Sequence, residues 1–177
     1  MKKSTTKKMV YAGLLLALGL VLPFLTAQIP SLGSKLLPMH IPVLLAGFIC
    51  GWPYGLLIGF ILPLIRSMLF GMPPMFPTAV AMAFELAAYG AVTGILYKIL
   101  PKKNMSVYIS LIVAMICGRI VWGAVSLVLL GLSGSPFTWE IFMTGAFVNA
   151  VPGIIIQIII IPVIVIALKK GRFIEND

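Results

Sequence analysis

Acidic side chains are almost missing from this chain: 177 residues hold four Asp and Glu against thirteen Lys and Arg, with one His and two Cys. So few acids and a single His leave little from which to build a general acid–base pair. Cys50 and Cys117 lie in apolar runs, in no CxxC or Cys/His spacing that suits a metal, so neither a metal nor a cofactor is expected. No G-x-x-x-x-G-K-[ST] loop is present, which excludes ATP hydrolysis by that route. H-E-x-x-H and G-x-S-x-G are also missing, and the chain is not expected to be an enzyme. Charge of either sign is scarce, at 10% of residues against about 25% in soluble domains.

What is present is apolar. Hydrophobic residues make up 61% of the chain and the mean hydropathy is +1.15. A soluble core of this size cannot hide so much apolar surface, because surface area falls too slowly with size. The composition predicts an all-α, polytopic membrane protein, one transmembrane domain over residues 1–177. Six spans are expected, at about residues 9–27, 38–50, 54–70, 78–100, 107–130 and 141–168, given that a crossing helix needs about 20 apolar residues. The second is short and must tilt or turn back as a re-entrant hairpin. Trp52-Pro53 is expected to break the chain after it, because Pro restricts the residue before it. The external loops are rich in Pro, Gly and Ser, and Gly71–Pro77 reads as a turn-forming, non-helical loop.

The net charge of +9 is not a nucleic-acid signature. Ten of the thirteen basic residues lie in three clusters at the ends of apolar runs: Lys2, Lys3, Lys7 and Lys8; Lys98, Lys102 and Lys103; Lys169, Lys170 and Arg172. With six spans all ten fall on one side and only Lys35 falls in a loop on the other. Positive charge marks the inner face, so both termini are expected to be cytoplasmic. MKKSTTKK followed by an apolar run and Leu25-Thr26-Ala27 also has the outline of a signal peptide. Leu25 suits such a cleavage site poorly, and cleavage would leave an odd span count, so the segment is read as span one.

Polar side chains inside spans are costly, about 2.5–3.5 kcal/mol for Arg, Lys or Asp at a helix centre, and they normally face the bundle interior. Arg66 lies in the outer part of span three, Glu85 about 10 Å below the outer end of span four, and Arg119 about 18 Å from the inner end of span five. His40 opens span two, Asn149 lies in the outer half of span six with Gln157 deeper, and Trp139 and Glu140 stand at the outer mouth. Two arginines face one carboxylate. One Arg is therefore expected to be neutralised by Glu85, with Arg119 as the structural partner, and the other awaits an anion, for which the guanidinium fork is suited. The expected site is an outward pocket for a small anionic ligand, with Arg66 as anchor and His40, Glu85, Asn149 and Trp139 around it. Each has a plainer role open to it: snorkelling for Arg66, capping for His40, interhelical bonding for Asn149, interfacial anchoring for the tryptophans. Gly13 and Ala17, four apart in span one, form a small-residue pair that lets another helix approach, as do Ala83, Ala87 and Ala91 in span four.

The stretch 37–55, LPMHIPVLLAGFICGWPYG, with 71–79, GMPPMFPTA, and 82–90, MAFELAAYG, resembles the substrate-binding S component of an energy-coupling factor (ECF) vitamin transporter, in its pantothenate-type branch. The size, six spans and basic N-terminus agree. The family's span-one pattern is Ala-x-x-x-Ala, and this chain has Gly13 in the first place. The resemblance implies a protein of the prokaryotic plasma membrane that captures a vitamin from outside. It also implies partners: a transmembrane coupling protein met through Gly13 and Ala17, and two ATPase subunits. The whole S component then topples in the membrane to release its cargo. Pantothenate carries one carboxylate, in keeping with the surplus positive charge; biotin and lipoate would satisfy that equally. Two other readings stay open: a proton-coupled carrier that works alone through Glu85, and a membrane scaffold whose charges only pair helices.

Overall fold

A computed structural model describes residues 2–26, 35–101, 103–134, 136 and 138–171. Ala27 of the first span, Lys102 and Arg172 of the basic clusters and Ser135 of the last loop lie outside the described residues. The described chain is helical, without strands. Helix α1 (Lys2–Val21) runs into a 3-10 turn, Leu22–Thr26. Then come α2 (His40–Cys50), α3 (Trp52–Phe70), α4 (Val80–Ile99) and α5 (Asn104–Leu132). The short α6 (Trp139–Met143) leads through a wide turn, Thr144–Val148, to α7 (Val151–Lys170).

Five helical stretches are long and apolar enough to cross a membrane: Thr5–Leu25, Trp52–Phe70, Met75–Ile99, Asn104–Leu132 and Trp139–Lys170. Helix α2 is the exception. Its 11 residues reach about 16 Å, roughly half the hydrocarbon thickness. Its shortness goes with its place. Nine of its residues are buried, and it packs against α1, α3, α4 and α7. A helix that is apolar all round belongs inside a bundle, and α2 is the centre of this one.

The break between α2 and α3 falls at Gly51, not at the Trp52-Pro53 dipeptide. Gly51 has φ 91°, open to glycine at little cost, and Trp52 is already helical. Pro53 sits in the first turn of α3, where its missing N–H is no loss. The loop after α3 also differs from expectation. Residues 71–74 stay outside helix, but Met75–Ala79 forms a wide turn, closed by Ala79 N–H donating to the Pro74 carbonyl at 2.9 Å, with Phe76 extended at φ −120°, ψ 134°. The last span is interrupted at Asn149 and Ala150, because Pro152 has no N–H for a preceding carbonyl and its ring crowds the turn before it.

Close approach sets the crossing of α3 and α4. A Cβ at Gly90 would lie 2.2 Å from the Gly55 backbone, and one at Gly59 would lie 2.2 Å from the Leu86 carbonyl. The pairs 55/90 and 59/86 make α3 and α4 antiparallel. The small-residue seam of α4 therefore runs through Gly90 and Gly94; Ala87 and Ala91, expected there, are only half-buried. Helices α1 and α3 are parallel: Gly19 faces Leu62, Leu20 faces Arg66 and Phe24 faces Phe70. Helix α2 runs the opposite way, parallel to α4: His40 meets Glu85, and Gly47 meets Gly90 and Gly94. These pairings put Lys7, Lys8, Lys98 and Lys103 at the same end.

Candidate functional site

Glu85 and Tyr89 stand four residues apart on α4 and so share one face. Helix α5 runs antiparallel to that face. Its Gly118 leaves room for the Tyr89 ring, which a Cβ would meet at 2.4 Å, and the next residue, Arg119, turns its guanidinium to Glu85. Helix α2 contributes its first residue, His40. All four residues are at most 5% exposed.

Glu85 Oε1 is the shared acceptor. Arg119 Nη1 lies 2.9 Å away and the Tyr89 hydroxyl donates to it at 3.1 Å. His40 Nε2 stands at 3.5 Å, an ionic contact too loose for a hydrogen bond, and its ring tilts against Tyr89 with centroids 5.3 Å apart. The quartet is incompletely satisfied. Arg119 Nε and Nη2 and His40 Nδ1 are buried without a partner, as is Gln157 Nε2 on α7. Buried polar groups are nearly always bonded, so such a set calls for an explanation. Nη1 alone is taken by Glu85; Nε and Nη2 form the side edge of the guanidinium, the edge that grips a carboxylate through two parallel hydrogen bonds.

Arg66 is placed elsewhere, in the seam of α1 and α3. It is 2% exposed, donates through Nη1 to the Leu20 carbonyl, and has its guanidinium 4.9 Å from the Phe24 ring centroid and 5.2 Å from that of Phe70. No acidic side chain among the described residues has a recorded ion pair with it. The rings flanking Arg66 were not singled out in the sequence, nor was Tyr89, although its spacing from Glu85 was readable.

Trp139 is 74% exposed and packs on Phe142 with centroids 5.3 Å apart. Phe142 also stacks with Trp122 and meets Phe147 edge-on. Asn149 is exposed at the break before α7. Neither Trp139 nor Asn149 touches the buried quartet through a recorded contact, while Trp122 lies one turn from Arg119 on α5. Gly13 and Ala17 are exposed on the outer face of α1, where a Cβ at Gly13 would meet nothing within 4 Å.

Residues 7–165 match the family model described as ECF transporter, substrate-specific component. The chain belongs to this family. It is thus a multi-pass membrane subunit of a transporter, not an enzyme, and the family implies a small-molecule substrate and association with an ECF module of coupling protein and ATPases. No curated protein and no solved structure matches it. In this S component the buried quartet draws four polar side chains from three helices together in the interior.

Proposed function

We propose that this S component captures a small vitamin bearing one carboxylate, pantothenate being the first candidate, and that the carboxylate docks on the Nε/Nη2 edge of Arg119. The observation behind this reading is that edge: two donors of a buried cation without a partner, while Glu85 holds the third nitrogen. Glu85 already balances the charge of Arg119, so the ligand's carboxylate is held by the two hydrogen bonds of the fork. Glu85 fixes the guanidinium plane, the Tyr89 hydroxyl fixes Glu85, and the ligand meets a preformed fork. The anchor's role thereby passes from Arg66 to Arg119, since the rings and carbonyl around Arg66 already occupy its faces and a donor.

In this reading the chain crosses six times, with α2 as the short, buried pass. The lysine-bearing end faces the cytoplasm, and Arg119 opens towards the other side past Trp122 and Phe142. Gly13 and Ala17 offer α1's bare face to the coupling protein. The ATPases of a separate ECF module drive release at the inner face of a prokaryotic plasma membrane.

A thermal-shift screen of the purified protein against water-soluble vitamins tests it. A ligand at 100 times its Kd stabilises the fold by about 2.7 kcal/mol. Stabilisation by a vitamin acid that is lost in Arg119→Gln is the expected result. A screen in which no vitamin acid shifts the melting temperature overturns the proposal.

A further inference from the structure

Helix α7 presents one buried stripe, Gly153, Gln157, Ile161 and Val165, spaced four residues apart. It packs against α2 and α5. Gly153 sets its register: a Cβ there would lie 2.7 Å from the Lys35 carbonyl oxygen and 3.0 Å from the Leu36 carbonyl. One turn further along α7 comes Gln157. Four residues beyond Leu36 the chain reaches His40. Gln157 lies on the buried face of α7, the face packed towards α2 and α5, the helices that carry His40 and Arg119. It is 1% exposed, and its Nε2 has no partner.

The chemistry of the orphaned atoms narrows the ligand. Arg119 Nε, Arg119 Nη2 and Gln157 Nε2 are all donors, so whatever satisfies them brings acceptors. A carboxylate fits the arginine fork. At Gln157 a second carboxylate would be buried against a neutral amide, at high cost, whereas a neutral carbonyl needs only the one hydrogen bond.

We propose that Gln157 is a specificity-determining residue of this site, and that the substrate is a carboxylate carrying a separate neutral carbonyl, as in an amide or a urea. This rests on the carboxylate reading of Arg119. It separates ligands that charge alone leaves equal: pantothenate has an amide carbonyl and biotin a ureido carbonyl, whereas lipoate has no carbonyl beyond its carboxylate.

Calorimetry on the purified full chain, with pantothenate, biotin, lipoate and the uncharged pantothenol as probes, tests it. A carbonyl-bearing acid should bind most tightly. Gln157→Leu should weaken that acid about tenfold while changing lipoate less than twofold. Gln157→Asn, which keeps the amide on a shorter stem, should recover part of the loss, and unliganded melting curves of both variants control for folding. Lipoate binding as tightly as the carbonyl-bearing acids overturns the proposal. So does an equal loss for all acids in Gln157→Leu, no loss at all, or no binding by any carbonyl-bearing acid. Arg119→Gln separates the two readings. If it abolishes binding of the acids while Gln157 proves inert, the carboxylate site stands and Gln157 is not its selector. If it changes nothing, the carboxylate site itself fails.

Discussion

Arg119 Nη1 and Glu85 Oε1 lie 2.9 Å apart, both side chains withdrawn from solvent, in a bundle whose outer surface is apolar. Each member makes the other tolerable. Removing one partner of a buried pair costs about 3–5 kcal/mol, because the remaining charge is left uncompensated. Glu85→Gln should therefore lower the unfolding free energy by about that amount, measured by thermal unfolding in detergent. Glu85→Gln combined with Arg119→Met, which removes both charges, should be milder than Glu85→Gln alone. Equal destabilisation by the single and double variants would show that the two side chains do not act as a pair.

Arg119→Lys separates charge from shape. Lysine keeps the positive charge but has no planar side edge. Hydrogen bonds to charged groups contribute about 1.5–3 kcal/mol, so the variant should bind a vitamin acid some ten- to hundredfold more weakly while remaining folded. Calorimetric titration of wild type and variant decides it; an unchanged Kd would mean that the fork is not the docking edge.

Arg66→Leu should behave differently. It loses two ring contacts, about 0.5–2 kcal/mol each, and the bond to the Leu20 carbonyl. The melting temperature should fall, with Kd for the acid within about twofold of wild type, the change in stability lying in the α1–α3 seam. A collapse of affinity with normal stability would return the anchor to Arg66.

The glycines of two helices should contrast. Gly90→Leu forces atoms into the Gly55 backbone and should abolish accumulation of folded protein. Gly13→Leu with Ala17→Leu meets open space on α1, so folding and ligand binding should survive. Co-purification with the ECF coupling protein should be lost in the latter variant. If co-purification is retained, α1 is not the contact helix.

Sidedness is open to chemistry. After Cys50 and Cys117 are replaced by Ala, a thiol at Lys103→Cys should react with an impermeant maleimide only in opened cells, and one at Pro136→Cys in intact cells. The two positions must differ because a single crossing, α5, separates them. The reverse pattern would invert the proposed orientation.

The sequence went far on elements whose solvent is lipid. Long apolar runs, four of them with basic ends, define α1, α3, α4, α5 and α7 without tertiary information, since a crossing helix satisfies its own backbone and needs only length and apolarity. It was weaker where two helices meet. The Gly51 turn was assigned to Trp52-Pro53, because a pattern shows that a break is needed and not which residue takes the positive φ. Of the α4 alanines, Ala83 is buried and Ala87 backs onto Gly59, but Gly90 and Gly94 make the closest approaches; facing pairs such as 55/90 join residues far apart in sequence.

The same division runs through the site. The excess of arginine over glutamate inside the spans was countable from the sequence. Depth favoured Arg119 as the partner of Glu85, and the two do meet, but depth along a helix axis says nothing about rotation around it, so the anchor was expected at Arg66. By itself the sequence determined the solvent, the helices and the surplus charge, since these are sums over local composition. Only the tertiary structure decided that Arg119 meets Glu85, that Arg66 is sheathed by Phe24 and Phe70, and that α2 lies at the centre. Those facts depend on how helices distant in sequence turn and close upon one another.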